Sequence, residues 1–229
     1  MSKQFHETSE NEQKNHVFDQ LRGTTSRRGF LGRTAVSAAL IVPVASMLVA
    51  QTAHASAKSA YHLSYADAFN EIKKDEDTHV SFLKSALGGS ARPKPKFKGL
   101  KQDDQDTFIE LSRVLENTGV GAYLLAAPSI SSKANLAAAG SILTIEARHA
   151  GYLDAITGNA LSPNGAFDKP IAQADIVKGV SPFIASLNGG SDPAAALKND
   201  VDILNFALLL EYLEAEFYDS NVPNFFGDN

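Results

Sequence analysis

The chain has 229 residues, of which 44% are hydrophobic and 21% charged, the balance of an ordinary soluble globular protein with room for one domain and a tail. Its formal charge of −5 argues against nucleic acid as a general partner, and the absence of cysteine excludes structural disulfides, thiolate iron–sulfur sites and Cys-ligated zinc. Any metal must therefore be held by His, Asp or Glu; both methionines, Met1 and Met47, precede the expected mature chain, which argues against a Met-ligated haem.

Residues 1–25 are polar and aperiodic and read as a disordered leader. Ser26-Arg27-Arg28-Gly29-Phe30-Leu31-Gly32 follows, then a mildly apolar run from Ala35 to Ala50, then the small–x–small pattern Ala53-His54-Ala55. The whole resembles a twin-arginine signal peptide, which implies export of an already folded protein to the periplasm or beyond. The expected division is a leader at 1–55 and a domain at 56–229. The apolar run is about 16 residues and contains Pro43, short for a membrane-spanning helix; an N-terminal membrane anchor is the competing reading. The leader carries six Lys/Arg against four Asp/Glu, so the remainder is acidic, with a net charge of −7.

Ser64 is a good N-cap and Gly88-Gly89 a good stop, and between them Tyr65, Ala68, Ile72, Val80, Leu83 and Leu87 recur at helical spacing. Arg92-Pro93-Lys94-Pro95-Lys96 should break regular structure as an exposed basic connection. The second helix is predicted from about Asp104 to Ala127, with Phe108, Leu111 and Leu115 on one side and Pro128 ending it. The third runs from near Ser132 to Gly158, with Ile142, Leu153 and Ile156 on its stripe. From Gly158 to Asn199 four prolines break the pattern, so a long connection with one or two short helices is expected. The last helix opens at Asn199 or Asp200 and runs to about Asp219, using Val201, Leu204 and Leu208. No useful stretch alternates with period two, so the fold class is all-α. The connection from Gly88 to Gln102 could span about 50 Å, while a 24-residue helix is about 36 Å long. The helices on either side of it can therefore be parallel, as in bundles with long crossovers.

Charged residues interrupt the apolar stripes. Glu76 and His79 continue the first helix's stripe, and Glu146 and His149 continue the third's; at i, i+3 spacing each pair projects from one face. Glu116 adjoins the second helix's apolar face with Tyr123 seven residues on, and Glu211 lies on the fourth's stripe with Tyr218 seven residues on. Each pattern is thus used twice, a pseudo-twofold arrangement that suits a two-metal site. Four buried carboxylates beside two imidazoles are costly unless compensated, and two divalent cations bring the balancing charge. Oxygen-rich ligation with one imidazole per metal suits two iron ions, or manganese, better than structural zinc. By composition alone about 5% of histidines would have a Glu three positions earlier, so roughly 0.3 pairs are expected from six histidines; two occur, and exposed surface pairs are the competing reading. Glu214 competes with Glu211, which is preferred because its spacing to Tyr218 matches Glu116–Tyr123. Glu71, Glu110 and Glu216 fit a solvated face. Gly119 and Gly121 cost helix stability, and either close packing or a route for a small substrate would explain them.

These segments resemble the ferritin-like domain family that includes plant desiccation-related proteins and their exported bacterial relatives. Val201–Ala207 with Glu211–Tyr218 is similar to that family's first bundle helix, Asp75–Val80 to its second, Glu116–Tyr123 to its third and Glu146–Gly151 to its fourth. The resemblance implies a four-helix bundle in circularly permuted order; a rearranged gene is the alternative. It also implies that Glu76 and Glu146 bridge two metals, that His79 and His149 bind one each, and that Glu116 and Glu211 complete the ligand set. Tyr123 and Tyr218 would hydrogen-bond ligands, supply electrons or simply pack. The implied activity is oxidation of ferrous iron or consumption of peroxide or dioxygen in stress protection. A manganese catalase-like enzyme and a non-catalytic metal-sequestering or desiccation-stress structural protein remain open. No stable membrane insertion is expected after export.

Overall fold

A computed structural model describes residues 64–227, all within the compact unit Ala55–Asn229. The leader, the twin-arginine pattern and His62 lie outside the described residues. Four long helices carry the architecture: α1 (Tyr65–Leu87), α2 (Gln105–Ala126), α3 (Lys133–Ile156) and, after a short helix α4 (Gln173–Val180), α5 (Asp200–Phe226). Each long helix begins where a side chain can take up an orphan backbone N–H. Ser64 and Asp67 form a reciprocal capping box, Asp104 accepts from the Thr107 N–H, Ser132 from Asn135 and Asn199 from Asp202.

Side-chain pairings fix the directions. Phe69 meets Phe108 near the starts of α1 and α2, so these helices are parallel and the first crossover runs the length of the bundle. Phe69 also stacks on Phe226, and Lys73 pairs with Asp219, so α5 runs antiparallel to α1. Asp200, the first residue of α5, accepts from the N–H groups of Ser131 and Ser132 and from the Asn135 amide, which pins the starts of α5 and α3 together.

Two apolar clusters fill the bundle. One gathers Phe69, Ile72, Phe108, Leu153, Phe217 and Val222; the other gathers Leu83, Leu87, Ile142, Ile203, Leu204 and Leu208. On every long helix the stretch between the clusters carries the buried acids and histidines. The outermost stripe residues Tyr65 and Val201 are exposed instead, because the helix starts reach past the apolar layers. No helix among the described residues is long and apolar enough to cross a membrane.

Two expectations are corrected. The connection after α1 is not a free basic loop: Arg92 is buried, its backbone N–H donating to Asn205 Oδ1 at 2.6 Å and its guanidinium to the carbonyls of Asn205 and Ser191. The all-α reading holds, and the one strand pair among the described residues, β1 (Lys96–Phe97) antiparallel with β2 (Ile184–Ser186), only ties the two crossovers together. Strands this short leave no period in the sequence. Finally, α5 continues past Asp219, and through Pro223, to Phe226. Proline removes one helical donor and normally breaks a helix. Here Val222 is buried, Phe225 stacks on Phe108 and Phe226 on Phe69, which favours continuing the helix.

A candidate dimetal centre between two apolar layers

Glu76, Glu116 and Glu146 are fully buried, and Glu211, His79 and His149 nearly so. The i, i+3 spacing on α1 and α3 turns Glu76 with His79, and Glu146 with His149, toward the bundle axis. Glu116 and Glu211 arrive from α2 and α5. Two sets of ligand atoms form, each with all members within 4.8 Å of one another: Glu76, His79, Glu146 and Glu211 in one, and Glu76, Glu116, Glu146 and His149 in the other. Glu76 and Glu146 belong to both.

Both imidazoles point Nδ1 inward. His79 Nδ1 lies 3.3 Å from Glu76 Oε2, 3.2 Å from Glu146 Oε1 and 3.2 Å from Glu211 Oε2. His149 Nδ1 lies 3.2 Å from both Glu76 Oε1 and Glu116 Oε2. One ring nitrogen carries at most one proton, so it cannot satisfy several carboxylates. Accordingly Glu76 Oε1, both oxygens of Glu146, and Glu211 Oε2 are buried without a hydrogen-bond donor. Unsatisfied buried acceptors are rare in folded proteins and costly. A cation at the centre of each set would meet all of them at once. The donor set therefore fits a pair of divalent ions.

The titration behaviour carries the same strain. Burial and the charge of Glu116 push Glu76 up, hydrogen bonds with His149 and His79 pull it back, and it titrates at about 7. Burial, then Glu76, Glu211 and Glu116, hold Glu146 well above the carboxylate range. Burial alone would lower His79, but Glu146, Glu211 and Glu76 reverse this and hold it well above the usual imidazole range. His149 is also held high, with Glu116 and Asp75 overcoming its burial.

Tyr123 and Tyr218 are buried phenols kept protonated, first by burial and then by the glutamates around them. Each serves the acid of the opposite helix. Tyr123 of α2 donates to Glu211 Oε1 of α5, and Tyr218 of α5 donates to Glu116 Oε1 of α2 at 2.6 Å. Spacing along one helix places a Tyr and a Glu on one face, but it does not show this exchange.

Glu214 is buried too, and burial followed by four neighbouring carboxylates raises its pKa. It belongs to neither ligand set; it lines a small cavity of about 10 Å³ with Leu115, Thr118, Gly119 and Val180. The glycines of α2 are close-approach positions. A Cβ on Gly119 would lie 2.6 Å from Glu146 Oε2, and one on Gly121 would collide with Ile171, whose N–H donates to the Gly121 carbonyl. Glu71 and Glu110 are exposed and Glu216 is half-exposed, as expected of a solvated face.

The family model described as a ferritin-like domain matches residues 44–159 and 199–228, more than half of the chain. The chain belongs to the ferritin-like domain family. No curated protein and no solved structure matches it. Among ferritin-like chains a buried cluster of carboxylates and imidazoles on four helices is compatible with a dimetal site, and that is what this bundle places between its apolar layers.

Proposed function

We propose that this ferritin-like protein binds two iron ions, with manganese as the alternative, and uses them to oxidise ferrous iron or consume peroxide or dioxygen. The observation that carries this reading is the set of four buried carboxylate oxygens without donors, ringed by two inward Nδ1 atoms. Glu76 and Glu146, common to both sets, would help hold both ions, His79 and Glu211 would hold one, and His149 and Glu116 the other. Bound there, such a pair would supply electron transfer to dioxygen or peroxide, with ferrous iron as substrate. The apolar layers exclude bulk water, which strengthens electrostatic interactions at the centre. The tyrosine hydroxyls orient Glu116 and Glu211, leaving the second oxygen of each for a metal.

Export by the twin-arginine route accompanies this proposal. Ser26-Arg27-Arg28-Gly29-Phe30-Leu31-Gly32 and Ala53-His54-Ala55 support it, and a folded export substrate suits a protein loaded with metal before leaving the cytoplasm. Such a protein would guard the periplasm or an external compartment under drying or oxidative stress. Cell fractionation of the wild type and of an Arg27→Lys, Arg28→Lys double variant tests the route; retention of only the variant in the cytoplasm is expected.

The decisive test is metal analysis of protein purified from its host, followed by stopped-flow absorbance after mixing with ferrous iron and air. Two metals per chain and oxidation well above background are expected, both lost in Glu76→Ala, Glu146→Ala. Metal uptake without turnover would replace the enzymatic reading with sequestration. Peroxide turnover by the manganese-loaded form alone would point to a catalase-like enzyme. No bound metal and no oxidation would defeat the proposal.

A further inference from the structure

α1 and α3 present the same local pattern around the site, with Glu76 and His79 matched by Glu146 and His149 and nearly the same sequence of buried and exposed positions. One residue before each glutamate, at positions of equal burial, the side chains differ in chemistry: α1 carries Asp75 and α3 carries Ile145. Asp75 does not act on its own helix's histidine. Its Oδ2 lies 3.4 Å from Nε2 of His149, the outer nitrogen of the imidazole contributed by α3. Nε2 of His79 has no protein acceptor among the described residues, and the residue matching Asp75 across the pseudo-twofold axis is the hydrocarbon of Ile145.

Building on the dimetal reading above, we infer that Asp75 is a positioning residue that makes the two metal positions unequal, the one bound by His149 being the tighter. A carboxylate on the outer nitrogen keeps the proton at Nε2, leaves the Nδ1 lone pair directed at the metal, holds the ring plane and makes the imidazole a stronger donor. Removing such a partner typically weakens metal binding 10–100-fold. Asp75 is partly exposed, so its charge is partly screened, but the direction of the bond does not depend on screening. The His79 position lacks this support, so it should fill second and empty first.

Anaerobic Mn²⁺ titration of the full chain by calorimetry tests this directly. The wild type should show two steps of unequal affinity. Asp75→Ala should weaken the tighter step 10–100-fold, leave the other unchanged and bring the two together. Asp75→Asn, which keeps the shape and an acceptor oxygen without the charge, should fall between. In the Co²⁺-loaded wild type, proton NMR should show one slowly exchanging, hyperfine-shifted imidazole N–H, absent in Asp75→Ala; a merely structural role for Asp75 would not remove it. Equal weakening of both steps, no weakening, or survival of that resonance would overturn the inference while leaving the dimetal reading intact. A wild type that takes up no pair of ions would overturn both.

Discussion

Glu76→Gln should stabilise the metal-free protein while destroying its response to metal. Glu76 titrates at about 7 in the folded chain against an ordinary 4.5, with the pull of both imidazoles already included. A carboxyl with a raised pKa stays protonated in the folded state over a range where the unfolded chain has lost its proton. Stability therefore falls as pH rises from about 4.5 to about 7, and the full penalty applies above that window. Each tenfold change in proton affinity is about 1.4 kcal/mol, so at pH 8 ionised Glu76 costs about 3 kcal/mol. At pH 5 the same linkage leaves less than about 1 kcal/mol. Glutamine has the same shape and no charge, and its amide can donate to the neighbouring carboxylates. In EDTA at pH 8 the variant should melt about 6–12 °C above the wild type, with little difference at pH 5. Adding Mn²⁺ should reverse the order, because only the wild type gains strongly from ligand binding. Urea unfolding with parallel calorimetry measures both. A variant less stable than the wild type in EDTA at pH 8, or a gain as large at pH 5 as at pH 8, would refute the account of the site as a cage of uncompensated acids.

Gly119→Ala should leave the protein folded by circular dichroism, since alanine favours a helix by about 1 kcal/mol. Its methyl would displace Glu146 Oε2, however, and metal stoichiometry measured by mass spectrometry or elemental analysis should drop. Tyr218→Phe deletes the 2.6 Å donor to buried Glu116 and should cost about 1.5–3 kcal/mol in urea unfolding of the metal-free form. Asn221→Ala removes the partner of the Gln102 N–H and the Leu100 carbonyl, and should cost about 1–3 kcal/mol with faster hydrogen exchange at Gln102. Because His79, His149 and Glu146 hold protons above their ordinary ranges, metal uptake at pH 7 should release at least two protons. Affinity should then rise about a hundredfold per pH unit, as checked by calorimetry in buffers of different ionisation enthalpy.

The long helices, and the projection of Glu76 with His79 and of Glu146 with His149 from one face each, were legible because both follow from spacing within one helix. Ser64, Asp104, Ser132 and Asn199 announced the starts through capping chemistry. Glu76–His79 and Glu146–His149 stood out as charges on otherwise apolar stripes. What stayed hidden depends on contacts between helices. Nothing in the spacing of Glu116 and Tyr123 says that each tyrosine serves the other helix's acid. Asp75 entered only as the first residue of the stretch resembling the family's second helix, and no spacing along α1 shows that it reaches His149 of α3. Arg92 sat in a Pro- and Lys-rich stretch, and its burial depends on Asn205, more than a hundred residues later. The persistence of α5 through Pro223 rests on Phe69 and Phe108, which only the folded bundle brings near.

The exchanged tyrosine–glutamate links join α2 to α5 at two points seven residues apart, about 10 Å along the axis. A single fastening would let the rods pivot; two forbid both pivoting and shear. The span between Glu116 and Glu211 is therefore fixed by phenolic oxygens rather than by any cation. Were ions to bind as proposed, they would meet a frame that already has its dimensions, and their exchange should be limited by side-chain rotation rather than by movement of helices.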